Sequence, residues 1–132
     1  MASATQRAPR PDLEAHDHTA RIPFAAAAKE LRDLLGPKLV AYIADVQETR
    51  AVHEWAEGAR EARDPIPRRL RLALQVAILI ARQDSPGVAQ AWFQGLNPQL
   101  DDRSPARLLR EGDLDEVGPQ VLSAARAFAS GG

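Results

Sequence analysis

The segment at residues 68–82 (RRLRLALQVAILIAR) limits the possible folds more than any other part of the chain, because it is apolar on nearly every side. Its apolar run at residues 72–81 is too short to cross a bilayer and fits a buried helix. Such a helix needs to be surrounded by other elements or by a second copy of the chain. We therefore expect it to be a central core helix or the seam of a homodimer. Its polar side chains form a single stripe, made by Arg68, Arg71, Gln75 and Arg82.

Helical periodicity continues on both sides of this segment. Apolar residues recur at three- and four-residue spacing over residues 24–35, and shorter helices are predicted at 38–44, at about 49–57 and at about 86–94. Gly58 is suited to end the helix at about 49–57, because glycine readily adopts the left-handed conformation. No segment has convincing strand character, so we expect an all-α fold, a small helical domain.

The length of 132 residues fits one domain, which we divide into three stretches. Residues 1–22 contain prolines and scattered charges without apolar periodicity, which predicts a disordered tail. The tail contains His16-Asp17-His18, a poor ligand set on a flexible segment, so we expect no metal site. Residues 23–83 and 84–132 form the two parts of the folded region. The N-terminus has no apolar stretch typical of a secretory signal, and we expect a cytoplasmic protein without a membrane segment.

Catalytic chemistry is not indicated by any motif in the chain. There is no cysteine, which excludes disulfides, thiolate metal sites and cysteine nucleophiles. The histidine of the folded region, His53, has acidic neighbours but no serine or paired carboxylate in a recognisable arrangement. No phosphate-binding glycine loop is present. The sequence therefore predicts a protein that is not an enzyme and that needs no cofactor.

Residues 40–58 (VAYIADVQETRAVHEWAEG) have the spacing of a helix-turn-helix. Ala41 lies in the first helix, Val46 follows the turn, and Val52 and Trp55 lie three residues apart on the second helix. These positions resemble the Xre/Cro helix-turn-helix pattern, with Asp45 at the turn position where glycine is usual. The resemblance implies a DNA-binding element.

The charges of this element leave two interpretations open. The net charge of the chain is −1, and the second helix is acidic, with several glutamates against Arg50, so DNA phosphates would be repelled. The element is therefore either a scaffold or an operator-binding motif. If it binds DNA, the predicted contacts are Arg50 and His53, with Arg68, Arg69 and Arg71 on phosphates.

Residues 92–117 (WFQGLNPQLDDRSPARLLREGDLDEV) contain a series of turn and capping signals. The segment at 95–98 (GLNP) predicts a turn, and Ser104 followed by Pro105 predicts the start of a short helix that Gly112 ends. Asp113 is suited to begin the last helix. We expect that helix to kink or restart at residues 118–119 (GP), because proline removes a backbone donor.

This stretch and its continuation resemble the toxin-binding domain of Xre/MbcA/ParS-type antitoxins. The matching residues follow one another in the expected order: Trp92, Asn97, Pro98, Leu100, Arg103, Ser104, Pro105, Leu108, Leu109, Gly112, Asp113, Val117 and Leu122. Members of this family are paired with RES-domain toxins, which consume NAD⁺. The resemblance implies a helical toxin-binding part after the helix-turn-helix, and an inhibitor that covers the active site of such a toxin.

The resemblance also implies contact residues and partners. The expected toxin contacts are Asn97, Pro98, Leu100, Arg103, Ser104, Pro105, Arg107, Leu108, Arg110, Gly112, Gly131 and Gly132. The expected partners are the RES-domain toxin, a second copy of the chain within a hetero-oligomer and, where the operon is autorepressed, operator DNA. Two other classes remain open: a stand-alone Xre-like transcription regulator, and a helical adaptor for an unrelated protein.

Overall fold

The computed structural model describes residues 10–131, and these form helices joined by short loops. The helices are α1 (Pro11–Arg21), α2 (Phe24–Leu35), α3 (Pro37–Ala44), α4 (Thr49–Ala56), α5 (Ile66–Gln83), α6 (Pro86–Gln94), α7 (Pro105–Glu111) and α8 (Leu114–Ala129), with a 3₁₀ turn at Pro98–Leu100. The expected all-α class is confirmed. None of the helices in this part of the chain is long and apolar enough to cross a membrane.

Helix α5 lies at the centre of the molecule and contacts α1, α2, α3, α6, α7 and α8. Every residue from Ala73 to Ile80 is at most 8% exposed. The prediction of a central core helix is confirmed. The alternative prediction, that this helix forms a homodimer seam, is wrong, because the other helices of the same chain already cover its apolar surface.

One hydrophobic cluster spans both parts into which the sequence was divided. Val52 and Trp55 of α4 belong to it, and so do Phe93 of α6, Leu109 of α7 and Val121 of α8. Each of these side chains is at most 2% exposed. The helices before and after residue 83 therefore share a core, and the surfaces of both parts are held in fixed positions by it.

Residues 11–21 form helix α1, which corrects the prediction of a disordered tail up to residue 22. Ala15 and Thr19 of α1 are buried. From α5, the Nη1 atom of Arg71 donates hydrogen bonds to the carbonyl oxygens of Thr19 (2.5 Å) and Ile22 (2.9 Å). These bonds satisfy carbonyls at the end of α1 that have no partner within the helix. Residues 1–9 lie outside the described part of the chain.

Replacing Arg71 by methionine should loosen α1, because the end of this helix would lose charged donors while the apolar stem is largely retained. We expect the free energy of unfolding to fall by about 1–3 kcal/mol. Hydrogen exchange should become faster in α1 and stay unchanged in α5. Arg68→Met is the control, since Arg68 is exposed and pairs with Asp115 at the surface (2.9 Å). Unchanged α1 protection in Arg71→Met would show that this arginine does not hold the helix.

Helix α8 continues through Pro119, so the expected restart at residues 118–119 is wrong. Pro119 lies in the second turn, and the donor it lacks would have bonded to the carbonyl of Asp115, near the start of the helix. Gly118 has a separate role in packing. A Cβ atom at this position would lie 3.1 Å from Cδ2 of Leu72 on α5, so the glycine allows close approach of the two helices.

Candidate functional site

The loop between α6 and α7 is organised around Asn97. The backbone N–H of Asn97 donates to the carbonyl of Arg103 (3.1 Å), and its own carbonyl accepts from the N–H groups of Leu100 and Asp102 (2.9 Å each). Its side-chain Oδ1 accepts from the N–H of Gln99 (2.9 Å). Asn97 therefore closes the loop at 97–103 into a compact turn.

Two aspartates allow this loop to reverse direction. Asp101 and Asp102 have φ angles of 57° and 60°, in the left-handed region that aspartate tolerates better than most residues. The reversal of the loop therefore depends on two aspartates in the left-handed conformation and not on a glycine.

Helix α7 begins at the predicted cap and turns its apolar side inwards. The Ser104 hydroxyl accepts from the N–H of Arg107 (3.2 Å). Leu100, Pro105 and Leu108 are buried. The structure therefore corrects the expectation of direct toxin contact for these three side chains. A helix of seven residues has to bury its apolar side to be stable, and these residues fix the shape of the surface from beneath.

The junction between α7 and α8 requires glycine because of space rather than backbone angle. Gly112 has a φ angle of −88°, which other residues adopt freely. A Cβ atom there would lie 2.6 Å from Cγ1 of Val117 and 2.8 Å from the carbonyl oxygen of Leu108. The Asp113 carboxylate then accepts from the N–H of Asp115 (3.1 Å) and caps α8. The two helices therefore meet at a fixed angle.

Arg103 and Arg107 present partly exposed guanidinium groups beside this loop. The side chain of Arg103 is 48% exposed; its Nε donates to the carbonyl of Leu100 (3.1 Å), and its Nη2 lies 3.7 Å from Asp101. The side chain of Arg107 is 62% exposed and pairs with Glu111 on its own helix (3.2 Å). Exposed pairs of this kind contribute little to stability, so both arginines can change partners on binding.

Arg110 is engaged within the chain, although the sequence suggested a partner contact. Its Nη1 donates to the carbonyl of Tyr42 (2.9 Å), its Nη2 lies 2.8 Å from Oδ1 of Asp45, and its guanidinium carbon lies 4.5 Å from the centre of the Tyr42 ring. A quarter of the Arg110 side chain is exposed, so direct toxin contact by Arg110 stays a prediction. Arg110 joins α7 to the turn after α3, a pairing between distant residues that spacing alone does not reveal.

Helices α3 and α4 are joined by a tight turn at Asp45, which has a φ angle of 64°. The N–H of Val46 bonds to the carbonyl of Ala41 (3.1 Å), which closes the end of α3. Val52 and Trp55 are buried, and the Trp55 ring lies 6.1 Å from that of Phe24. The residues of the helix-turn-helix pattern therefore close the turn between α3 and α4 and pack α4 into the core. DNA binding stays a prediction.

Arg69 and Arg71, two of the arginines predicted to contact DNA phosphates, make hydrogen bonds within the chain. Arg69 is 8% exposed and donates to the carbonyl of Ala44 (3.1 Å), and Arg71 holds the end of α1. Burial lowers the pKa of Arg69. The negative charge of Asp45 raises this pKa and the positive charge of Arg110 lowers it, and the net result is a pKa below the usual value. Burial of Arg69 corrects the expectation of phosphate contact for this residue. Arg71 is half-buried, and phosphate contact by Arg71 stays a prediction.

The other predicted DNA contacts are exposed but already paired. Arg50 pairs with Glu54 (3.2 Å), the His53 ring contacts Arg32 (3.2 Å), and Arg68 pairs with Asp115. Glu54 also accepts from Arg60 (2.7 Å), and these arginine bonds outweigh partial desolvation and hold the pKa of Glu54 below its usual value. The face of α4 is therefore close to neutral.

The end of α8 carries a surface feature that the sequence patterns did not reveal. Phe128 is 41% exposed, with its ring 6.4 Å from that of Trp92, and Leu96 in the loop after α6 is 74% exposed. The position of Leu96 within the turn GLNP, where a polar residue is usual, was the available signal. Gly131 follows with a φ angle of 82° and open space around it, and Gly132 lies outside the described residues.

A helical fold of this kind occurs in a toxin–antitoxin system. The chain is similar to a chain in the crystal structure of the M. tuberculosis MbcT-MbcA toxin–antitoxin complex, with 28% sequence identity and a TM-score of 0.66. The similarity covers 81% of this chain and 94% of that one. No protein-family model matches the sequence, and no curated protein is significantly similar to it. The structural likeness supports an antitoxin function.

Proposed function

We propose that this protein is the antitoxin of a type II toxin–antitoxin system. The observation that carries the proposal is the likeness to a chain of a toxin–antitoxin complex over most of both chains. It agrees with the antitoxin pattern in residues 92–122. An inhibitor of this class needs a rigid surface and no catalytic groups, which fits a chain without a recognisable catalytic arrangement.

The proposed toxin-binding surface consists of the exposed part of the loop and helix described above. Its members are Asn97, Pro98, Arg103, Ser104, Arg107 and Gly112, all at least partly exposed. The internal hydrogen bonds of the loop hold this surface in one conformation, so little ordering is required on binding. Arg103 and Arg107 would pair with carboxylates of the toxin, for which the planar guanidinium is well suited.

The proposed target is a RES-domain toxin that consumes NAD⁺, and inhibition is steric. Helix α8 and residues 129–132 would lie across the cleft and obstruct the entry of NAD⁺. The small residues Gly131 and Gly132 suit a narrow passage. Self-association within the complex and repression of the operon remain part of the proposal, with α5 excluded as the seam between copies.

The direct test is to express the neighbouring reading frame alone and together with this protein. Alone it should arrest growth and deplete cellular NAD⁺. Together, growth and NAD⁺ should recover, and the two proteins should copurify. A neighbour that is harmless alone and does not copurify would contradict the antitoxin function.

The second candidate function is a stand-alone transcription regulator, favoured by the tight α3–α4 turn. The ion pair of Arg50 with Glu54 on α4 and the internal hydrogen bonds of Arg69 and Arg71 weigh against it, because these cations already have partners within the chain. A salt-dependent mobility shift on the protein's own promoter, without any partner, would favour the regulator. Absence of that shift, with copurification of the neighbour, would favour the antitoxin.

A further inference from the structure

An ion pair links the first described helix to the last turn of the last helix. The Oδ2 atom of Asp12 on α1 accepts from Nε of Arg126 on α8 (3.1 Å) and from Nη2 of Arg10 (3.1 Å). Asp12 is only 8% exposed. The link joins residues at nearly opposite ends of the sequence, and the antitoxin resemblance assigns no role to either partner.

The environment of Asp12 favours its charged form. Burial alone raises the pKa of the Asp12 carboxyl, but Arg10 and Arg126 outweigh this effect, so the pKa lies below its usual value. Asp12 also lies in the first turn of α1, where the helix dipole stabilises a negative charge. The carboxylate is therefore ionised at neutral pH and is available to pair with Arg126.

In the last turn of α8, Ala129 packs against the core and the longer side chains lie at the surface. Ala124 and Ala125 are buried, but Arg126, Phe128 and Ser130 are exposed. A groove lined by residues such as Leu79 and Ala129 separates this turn from the start of α1. The ion pair between Asp12 and Arg126 spans this groove and connects α1 with α8. The Phe128–Trp92 ring contact holds the same turn to α6.

The direction of the chain beyond α8 depends on the residues that these contacts hold. The N–H of Ser130 bonds to the carbonyl of Arg126 (3.0 Å), and the N–H of Gly131 bonds to the carbonyl of Phe128 (3.1 Å). Movement of Arg126 or Phe128 therefore moves the bonded residues 130 and 131. Arg126 and Phe128 therefore anchor the last turn through their side chains and position residues 130 and 131 through their backbone carbonyls.

We propose that α1 is a positioning element for the inhibitory end of the antitoxin: Asp12 holds Arg126 and thereby sets the direction in which residues 129–131 approach the toxin. This inference rests on the proposed function. Holding residues 129–131 in one direction before binding lowers the entropic cost of inserting them into a cleft. Asp12 and Arg126 are positioning residues and need not touch the toxin.

The test compares Asp12→Asn with Glu14→Gln. Both substitutions remove one carboxylate from α1 with little change of shape, but Glu14 faces Arg82 on α5 (3.8 Å) and not α8. In the isolated protein, amide exchange at Ser130 and Gly131 should become faster by about fivefold or more in Asp12→Asn, because the turn opens locally. Exchange in Glu14→Gln should match that of the original protein.

The inhibitory effect is measured on the purified neighbouring gene product as the concentration of antitoxin that halves NAD⁺ consumption. Asp12→Asn should raise this concentration by about tenfold, the order of effect expected when a preorganised contact becomes flexible. Arg126→Gln should behave in the same way, and Arg126→Lys, which keeps the charge, should restore most of the inhibition. Glu14→Gln should remain within about twofold of the original protein.

The outcomes separate this inference from the proposed function. If the original protein neither binds nor inhibits the neighbouring product, the proposed function fails, whatever the exchange data show. If the original protein inhibits but Asp12→Asn and Arg126→Gln inhibit equally well, or leave exchange at residues 130–131 unchanged, the positioning role is overturned. Should Asp12→Asn also release α1, Arg126→Gln decides the question, because it leaves the Arg10–Asp12 pair in place.

Discussion

Charge reversal of Arg103 and Arg107, combined with deletion of residues 129–132, should abolish neutralisation of the toxin without unfolding the protein. Both arginines are exposed at the proposed binding surface, and glutamate at either position would repel the toxin carboxylates they are proposed to meet. Losing two desolvated charged contacts and gaining repulsion costs several kcal/mol at an interface, on the order of a thousandfold or more in affinity. The deletion removes the segment proposed to obstruct NAD⁺ entry.

The fold should survive these changes because little depends on the altered residues. Arg107 pairs with Glu111 on one exposed helix face, and Arg103 bonds to a loop carbonyl, so the two charge reversals should together cost about 1–2 kcal/mol of stability. Circular dichroism and thermal unfolding check this point.

Lys29→Glu is the matched control for Arg107, since Lys29 also pairs four residues along its helix, with Asp33, and has the same side-chain exposure of 62%. Reversal of its charge should leave neutralisation intact. Full neutralisation by the variant that combines both reversals and the deletion would contradict the proposed surface.

Gly112→Ala should be among the most destabilising single substitutions in the chain. The added Cβ would overlap Cγ1 of Val117 (2.6 Å) and the Leu108 carbonyl oxygen (2.8 Å), and the latter cannot move without opening the end of α7. We expect the free energy of unfolding to fall by about 2–4 kcal/mol, at or above the usual cost of overpacking. Chemical denaturation measures this loss.

Gly87→Ala provides a control with the opposite expected sign. Gly87 lies in α6, and a Cβ atom there would lie at an ordinary contact distance of 3.8 Å from the Ser85 hydroxyl oxygen. Alanine at this position should therefore raise stability by up to about 1 kcal/mol, because it favours the helical conformation. Equal stability of the Gly112→Ala and Gly87→Ala variants would show that the α7–α8 junction is not closely packed.

Local signals in the sequence were sufficient for much of the fold. Ser104 caps α7 as predicted, because a cap depends on residues a few positions away. The apolar run of α5 identified the centre of the core, since a helix covered on all sides needs apolar residues on all sides. The turn at Asp45 was also found, although glycine is more usual there.

Features that depend on tertiary contacts were missed. Helix α1 has no clear apolar stripe, and Arg71 and Asp12 hold it through partners on α5 and α8. The resemblance to the antitoxin family implied a toxin contact for Arg110, but it did not reveal that Tyr42 and Asp45 engage this arginine within the chain. Spacing places an arginine on a helix but does not reveal which distant carbonyl or carboxylate it meets.

The proposed binding surface was predicted in outline but not residue by residue. The antitoxin pattern mixes residues that shape the hairpin, such as Leu100 and Leu108, with residues that lie on its surface, such as Arg103 and Arg107. The structure distinguishes the two groups by whether their side chains are buried, which the sequence pattern does not indicate. The exposed side chains of Leu96 and Phe128 were missed for the same reason.

Inhibition of the purified partner tests the antitoxin function most directly. The neighbouring gene product is purified, its consumption of NAD⁺ is followed, and this protein is added in increasing amounts. We expect NAD⁺ consumption to fall to the background rate as the added antitoxin reaches the stoichiometry of the complex that the two proteins form. NAD⁺ consumption that continues undiminished in a large molar excess of the folded protein would contradict the antitoxin function.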